Sequence, residues 1–251
     1  MSRQMSFEKF PKKRAELPEA YKKIYHQHYL ISREGKSTTT SLTKRLESWM
    51  HKKTAEDVVA GNKKISTLEI GAGTLNQLKY EPVHQEYDIV EPFNELYENS
   101  PLIKKVRTIY NDISEVHGIK YERITSIATF EHILNLPDVV AKAATLLNEK
   151  SGHLRVAIPN EGTLLWSLGT RITGFEFKKK YGLDYQILMQ YEHVNSAWEI
   201  EQVLKYFFKN VRLSVLGFSK NFAFYRFYDC SGIKAENLTP VFKNETITGT
   251  S

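Results

Sequence analysis

Short apolar runs, each followed by glycine or polar residues, recur through the middle of the chain. Helical or polar stretches separate them, which predicts the strands of a largely parallel sheet. These runs lie near 66–70, 87–90, 106–110, 124–129 and 153–158. Two later runs, 211–217 and 221–228, alternate between apolar and polar residues around a polar turn and predict an antiparallel pair. The pattern therefore predicts an α/β protein with a mixed sheet.

Helical periodicity precedes and follows these runs. Residues 6–30 are predicted to be helical with interruptions at two prolines, and a second helix is predicted over about 40–59. Later in the chain a helix is predicted over 137–147, and Ser196-Ala-Trp-Glu199 has the pattern of a capping box that opens another helix. The stretch 160–195 is a long insertion rich in aromatic and basic residues, and a connection of this length is often a lid or a binding loop.

The most informative stretch is Thr67–Asn76, in which an apolar run ends in Gly71-Ala72-Gly73. The next predicted strand ends in Glu91, 20 positions after Gly71. Glycines allow a ligand to lie against bare backbone, and a carboxylate at the tip of the neighbouring strand can accept hydrogen bonds from both hydroxyls of a ribose. The pair therefore predicts a nucleoside-binding site at one edge of a parallel sheet.

The residues beside these glycines indicate which class of nucleotide ligand the site would bind. A dinucleotide site requires a third glycine, whereas this chain has Asn76 at that position. Glu69, two residues before Gly71, disfavours a diphosphate and suits a ligand with an ammonium and a sulfonium group. At these residues the chain resembles the class I S-adenosylmethionine-dependent methyltransferases, whose first motif is an acid followed by two glycines. The resemblance covers about residues 65 to 230.

This resemblance implies a set of contacts with S-adenosylmethionine as the cofactor. It implies that the methionine end lies against Glu69, Gly71, Ala72 and Gly73, that Glu91 binds the ribose, that Pro92 and Phe93 flank the adenosine, that Asp112 and Ile113 contact the adenine, and that Thr129 and Phe130 lie beneath the sulfonium. For the substrate, we assign Tyr25, Tyr29, Arg33, Trp166 and Arg171 to binding.

The resemblance also implies the architecture. The expected fold is a Rossmann-like, doubly wound sheet of seven strands in the order 3-2-1-4-5-7-6, with the last strand antiparallel. Residues 65–232 would form the cofactor-binding domain with 160–195 as its lid, 1–64 a helical cap across the mouth of the site, and 233–251 a poorly ordered tail. Only about 16 residues separate the first two strands, so we expect the first helix of the fold to be short or irregular.

Two histidines are the candidates for catalysis. His193 is our first choice as the general base that removes a proton from an acceptor hydroxyl, and the alternative is that it bonds to backbone and holds the insertion closed. His132, after the fourth strand, is expected to contact the cofactor or pack beside it rather than to take a proton. No grouping of His, Cys and Asp has metal-ligand spacing along the sequence, so we predict a reaction that needs no metal.

The acceptor is predicted to be a small hydroxylated metabolite, in particular a sugar or nucleotide sugar of a surface-polysaccharide pathway. Enzymes that methylate the exocyclic amines of nucleic-acid bases usually carry Asn/Asp-Pro-Pro-Tyr where this chain has Thr129-Phe-Glu-His132, which disfavours nucleic acid. An RNA methyltransferase and a catalytically inactive cofactor-binding partner subunit are the alternatives.

Charge is unevenly distributed along the chain. Residues 1–64 hold 15 Lys and Arg against 7 Asp and Glu, although the whole chain has a net charge of only +6. This excess indicates either a solvated helical surface or attraction of a phosphate-bearing substrate. The sequence shows no apolar signal core and no run of the roughly 20 apolar residues that a membrane span needs, so we expect a cytoplasmic protein. The oligomeric state is left open.

Overall fold

The structure is a computed structural model that describes residues 7–25, 41–61, 64–82, 85–161 and 164–238 of the 251-residue chain. Its strands are β1 (Ser66–Ile70), β2 (Glu86–Val90), β3 (Thr108–Tyr110), β4 (Arg123–Ile127), β5 (His153–Pro159), β6 (Phe208–Ser219) and β7 (Phe222–Ile233). They form one sheet in the order β3-β2-β1-β4-β5-β7-β6. The first five are parallel, and β7 pairs antiparallel with both β5 and β6. The predicted order and the antiparallel pair are confirmed.

Helices cover both faces of this sheet. They are α1 (Ser41–Gly61), α2 (Leu136–Leu146), α3 (Leu164–Tyr181), α4 (Tyr185–Glu192) and α5 (Ala197–Phe207). The main core lies between one face of the sheet and α2 with α5. The predicted capping box is present at the start of α5, where Ser196 and Glu199 bond to each other's backbone N–H groups. In the described part of the chain, no helix is long and apolar enough to cross a membrane.

The connection after β1 confirms the expected departure from a full first helix. Leu75 adopts a left-handed conformation with φ 62°, and only a short 3-10 helix, Asn76–Lys79, follows it. One face of this turn is buried, since Leu75 and Leu78 pack against Tyr87 and other side chains of the second sheet face. A left-handed residue cannot continue an α-helix, so the chain returns quickly to β2.

Helix α1 packs against the sheet, and its predicted role in a cap across the mouth of the site stays a prediction. Its second half lies flat on the sheet, because two buried arginines of the sheet bind its backbone. Arg123 Nη2 donates to the Thr54 carbonyl at 2.7 Å and Arg155 Nε donates to the same carbonyl at 3.0 Å. Arg123 is fully buried and also bonds to Glu81 with both terminal nitrogens at 2.9 Å. The predicted boundary at residue 64 therefore separates a helix from the domain that it helps to build.

The N-terminal segment packs against the insertion 160–195. Residues 12–18 form no regular secondary structure and helix begins at residue 19, so the helix predicted over 6–30 began too early, and its last residues, 26–30, lie outside the described part of the chain. Leu17 and Tyr21 bury themselves against Phe177 of α3 and Leu188 of α4. The insertion 160–195 thus folds largely as two helices instead of a loop, and the N-terminal segment is its partner.

The end of β7 corrects the predicted start of the tail. The strand continues to Ile233, which pairs with Phe208, and a 3-10 turn over Ala235–Asn237 follows. Asn237 Nδ2 donates to the carbonyl of Tyr206 at 2.6 Å, which ties this turn to α5. Residues 239–251 lie outside the described part of the chain.

Candidate functional site

The carboxyl ends of the parallel strands meet at one edge of the sheet, where backbone hydrogen bonds fix the turns that leave them. Gly71 N–H donates to the carbonyl of Val90 at 2.8 Å, and Glu91 N–H donates to that of Tyr110 at 2.9 Å. The first residue of each turn is therefore hydrogen-bonded to the last residue of the neighbouring strand. In open α/β sheets ligands bind at this edge, where the strand order reverses, and here the reversal lies between β1 and β4.

The Gly71-Ala72-Gly73 turn requires its two glycines for different reasons. Gly71 has φ +74°, and a Cβ placed on it would lie 2.3 Å from Cγ2 of Thr129, so neither its conformation nor its surroundings admit a side chain. Gly73 has φ +50°, but a Cβ there would meet no described heavy atom within 4 Å. The backbone at Gly73 therefore faces open space, as a cradle for a ligand must.

Glu91 reaches from the end of β2 to this turn. Its side chain is buried, and its two oxygens accept hydrogen bonds from the N–H groups of Gly73 at 2.8 Å and Phe93 at 3.1 Å. A carboxylate oxygen can accept more than one hydrogen bond, so this arrangement fixes the carboxylate and leaves it able to accept from ribose hydroxyls. We call the Gly71–Gly73 turn together with Glu91 the cofactor end of the site. The residues present fit an adenosine-containing cofactor.

Glu69 is fully buried beneath the same turn. The hydroxyl of Tyr87 donates to its carboxylate at 3.0 Å. Burial raises the pKa of Glu69 to about 8, with a further contribution from the negative charge of Glu81. In the absence of a cation beside it, Glu69 therefore holds a proton at neutral pH.

Two histidines converge on the edge of the sheet beside this turn. The rings of His132 and His193 are perpendicular, with centroids 4.7 Å apart. Nδ1 of His132 lies 3.0 Å from the backbone carbonyl of Glu192, and Nδ1 of His193 bonds to the carboxylate of Glu161. Both partners only accept hydrogen bonds, so each Nδ1 carries a hydrogen, and in the neutral ring Nε2 holds the lone pair. We call His132, His193 and Glu161 the acceptor end of the site.

Backbone contacts hold the two histidine loops together. Asn195 is buried and donates through Nδ2 to the carbonyls of Phe130 at 2.8 Å and Ile133 at 2.6 Å. Arg14 of the N-terminal segment donates to the carbonyl of His132 at 3.0 Å and to that of Tyr191 at 2.8 Å. Residues far apart in sequence thus fix the position of both imidazoles.

Comparison with known proteins gives a clear result for the fold. Searches of the sequence against protein-family models and curated proteins give no match. Among solved structures, plantazolicin methyltransferase BpumL in complex with a pentazolic desmethylPZN analog and SAH is similar, with a TM-score of 0.58 at 14% identity over 84% of this chain and 93% of that one.

Two further structures agree. A SAM-dependent methyltransferase of Thermotoga maritima, described as a possible histamine N-methyltransferase, has a TM-score of 0.54 at 13% identity over 85% of this chain and 98% of its own. Magnesium protoporphyrin IX methyltransferase (ChlM) from Synechocystis PCC 6803 has a TM-score of 0.51 at 12% identity, over 83% of this chain and 98% of its own. The fold is that of the class I S-adenosylmethionine-dependent methyltransferases.

Within this methyltransferase fold, the remaining predicted cofactor residues occupy different environments. Phe93 is 49% exposed just after the end of β2, beside the exposed Pro92. Asp112 is exposed and caps a short turn by accepting from Ser114 N–H at 2.8 Å. Three further residues, Ala72, Ile113 and Phe130, are buried, so they would contact a cofactor through their backbone atoms.

Thr129 is placed by an unusual residue at the end of β4. Ala128 has φ 49°, a left-handed conformation that costs about 1–3 kcal/mol in a residue with a side chain. The resulting turn directs the hydroxyl of Thr129 to the carbonyls of Ile127 at 3.1 Å and Gly71 at 3.3 Å. The strand ends of β1 and β4 are thereby joined at the floor of the site.

The structure describes only some of the predicted substrate residues. Tyr25 stacks edge-on against Tyr191 with centroids 5.3 Å apart, and Arg171 is exposed on α3. Tyr29 and Arg33 lie outside the described residues, and so does the side chain of Trp166. Their assignment to substrate binding stays a prediction.

Sequence reasoning missed two residues of the acceptor end. Glu161 lies two positions after the end of β5, and an acid just beyond a parallel strand is a signal that could have been used. Arg14 carries no such signal, because only the folding of the N-terminal segment across the site brings it to His132.

Proposed function

We propose that the chain is an S-adenosylmethionine-dependent methyltransferase that methylates a small hydroxylated molecule. The observation that supports this most directly is the cofactor end, where Glu91 is held against the open backbone of Gly73. Glu69, Gly71, Gly73 and Glu91 are the residues that would hold the cofactor, which supplies a methyl group on a positively charged sulfur when it is bound.

In the proposed reaction His193 is the general base. Its Nε2 would take the proton of the acceptor hydroxyl, while Glu161 would hold the hydrogen on Nδ1 and stabilise the imidazolium. The bound cofactor would supply the methyl group, whose bond to sulfur would break as its bond to the acceptor oxygen formed, with S-adenosylhomocysteine as the leaving group. Arg14 and Asn195 position the histidine loops. Alignment of the reacting groups by such fixed contacts can account for about 7–11 kcal/mol of the barrier.

The acceptor class is the finer part of the proposal. The similar structures are a plantazolicin methyltransferase, a possible histamine N-methyltransferase and a magnesium protoporphyrin IX methyltransferase. The acceptors in these names are chemically unrelated, so the fold alone does not identify the acceptor of this chain. We propose a sugar or nucleotide sugar. A hydroxyl is the group that a histidine base serves best, and the lysines Lys178–Lys180 at the end of α3 offer positive charge to a phosphate.

Cofactor binding tests the proposal. Calorimetric titration with S-adenosylmethionine and its demethylated product should show binding, and Glu91→Ala should weaken it by about 3 kcal/mol or more, because hydrogen bonds to a charged group contribute about 1.5–3 kcal/mol each. Glu91→Gln keeps the size of the side chain and should lie between the two. Glu95→Ala, on the exposed turn that follows β2, is the matched control and should bind as the parent does.

Two outcomes would overturn the proposal. An absence of binding in the parent protein would remove the cofactor, and unchanged affinity in Glu91→Ala would remove Glu91 from the site. A screen of sugars and nucleotide sugars for release of S-adenosylhomocysteine then tests the acceptor class separately.

A further inference from the structure

The fold gathers more ligating groups around the two histidines than a general base requires. A ring nitrogen of His132, a ring nitrogen of His193 and a carboxylate oxygen of Glu192 all lie within 4.8 Å of one another. The spacing of these residues along the sequence gave no indication of this grouping, and the prediction of a reaction that needs no metal concerns catalysis and stays a prediction. Two imidazoles and one carboxylate are a ligand set that zinc and other first-row transition ions use in proteins.

We propose that His132, His193 and Glu192 form a binding site for a divalent transition-metal ion, with Zn²⁺ as the best match. Each histidine already has the outer contact that metal-binding histidines have. His132 donates its Nδ1–H to a backbone carbonyl and His193 donates its own to the carboxylate of Glu161, so Nε2 is the ring atom left to bind the ion. Metal binding and proton abstraction use the same Nε2 of His193, so the proposed base acts in the metal-free chain and a bound ion would block it.

Charge around the cluster also favours a cation. Glu131 is buried, with Oε1 3.9 Å from Nε2 of His132, and it adds a carboxylate to those of Glu161 and Glu192. Arg14 brings one positive charge to these loops, but its described hydrogen bonds go to carbonyl oxygens and not to the carboxylates. A divalent ion would therefore bring positive charge to a place where three carboxylates lie close together.

The three groups must move closer together to bind one ion. Ligand atoms about 2.0–2.2 Å from a tetrahedral ion lie about 3.4 Å apart, so atoms within 4.8 Å of one another must approach by up to about 1.4 Å. Side-chain rotation supplies this, since all three side chains are partly exposed. The oxygen-binding Mg²⁺ suits such a nitrogen-containing set poorly.

Titration of the tag-free full-length chain with Zn²⁺, and absorption spectroscopy with Co²⁺, test the site in the absence of cofactor and acceptor. We expect saturation at one ion per chain, visible absorption bands from bound Co²⁺, displacement of Co²⁺ by Zn²⁺ and no displacement by excess Mg²⁺. His193→Ala and His132→Gln should abolish Co²⁺ binding, and Glu192→Gln should weaken it. Glu161→Gln, which alters only the outer contact, should weaken it about 10–100-fold.

His117→Ala is the matched control, because His117 is exposed and lies on another loop, and it should bind Co²⁺ as the parent does. Circular dichroism checks that each variant is folded. The proposal is overturned if the parent shows no saturable binding, or if folded His193→Ala and His132→Gln bind Co²⁺ like the parent. Cofactor affinity, measured separately with a chelator present, does not depend on this site, so the failure of one proposal is distinguishable from failure of the other.

Discussion

The cofactor end of the site is made by residues close together along the chain, whereas the acceptor end is assembled from distant segments. Gly73 and Glu91 are 18 positions apart and sit on adjacent strands. At the acceptor end, His193 bonds to Glu161 across 32 positions, and Arg14 reaches His132 across 118. The first region depends on strand order, and the second depends on how the N-terminal segment and the insertion pack.

Because of this difference, the two regions tolerate different changes in sequence. The cofactor end is built from backbone N–H groups and one carboxylate, so any sequence that keeps two glycines and an acid at these positions can form it. The acceptor end depends on side chains in loops, which change without disturbing the sheet. We infer that the acceptor end carries the specificity, and three experiments test the contrast.

The largest effect is expected at the acceptor end. His193→Ala should lower turnover about 10²–10⁴-fold, since it removes the proposed base, and should leave the dissociation constant for S-adenosylhomocysteine unchanged. Initial rates on a working acceptor and calorimetry of the same samples give the two numbers. With His117→Ala as the control, equal rates in both variants would exclude a histidine base.

A smaller effect is expected at the cofactor end, where the two glycines should respond differently. Gly71→Ala should destabilise the fold by about 2–4 kcal/mol, because its Cβ would clash with Thr129 in addition to the strain of a left-handed residue. Gly73→Ala should cost only about 1 kcal/mol in stability, because its Cβ meets open space.

Urea unfolding measures both variants, and calorimetry should show that Gly73→Ala weakens cofactor binding although it folds. Equal loss of stability in the two variants would show that the clash at Gly71 has no consequence. Unchanged cofactor affinity in Gly73→Ala would show that the open backbone there is not the cradle.

A pH-dependent effect on stability concerns the protonation of Glu69. Its pKa is raised from 4.5 to about 8 in the folded chain, so the folded state binds more protons than the unfolded state between these values. Stability should therefore fall as the pH rises through this window, by up to about 1.4 kcal/mol per pH unit. Urea unfolding at about pH 6 and about pH 8 should show this loss in the parent and a smaller one in Glu69→Gln. Identical slopes would place the titration elsewhere.

Much of the fold was predictable because its signals are local. The strand bounds were predicted within a few residues, since buried parallel strands are short apolar runs that end in polar residues. The capping box at Ser196 and the shortened first helix were likewise predictable from neighbouring residues. The docking of helix α1 on the sheet was not predictable, because it depends on Arg123 and Arg155, which belong to strands more than 60 positions away.

The sequence by itself indicated the strands through their periodicity, and it indicated the Gly71–Gly73 turn and Glu91 through two glycines and one acid at strand ends, whereas the order of the strands was implied by the resemblance to the methyltransferase family. Only the tertiary structure decided that Glu161 bonds to His193 and that His132 and Glu192 lie beside it. The physical reason is that the positions of these side chains depend on long-range contacts of Asn195 and Arg14 with carbonyl groups. Every residue offers a carbonyl, so the sequence does not show which ones will be paired.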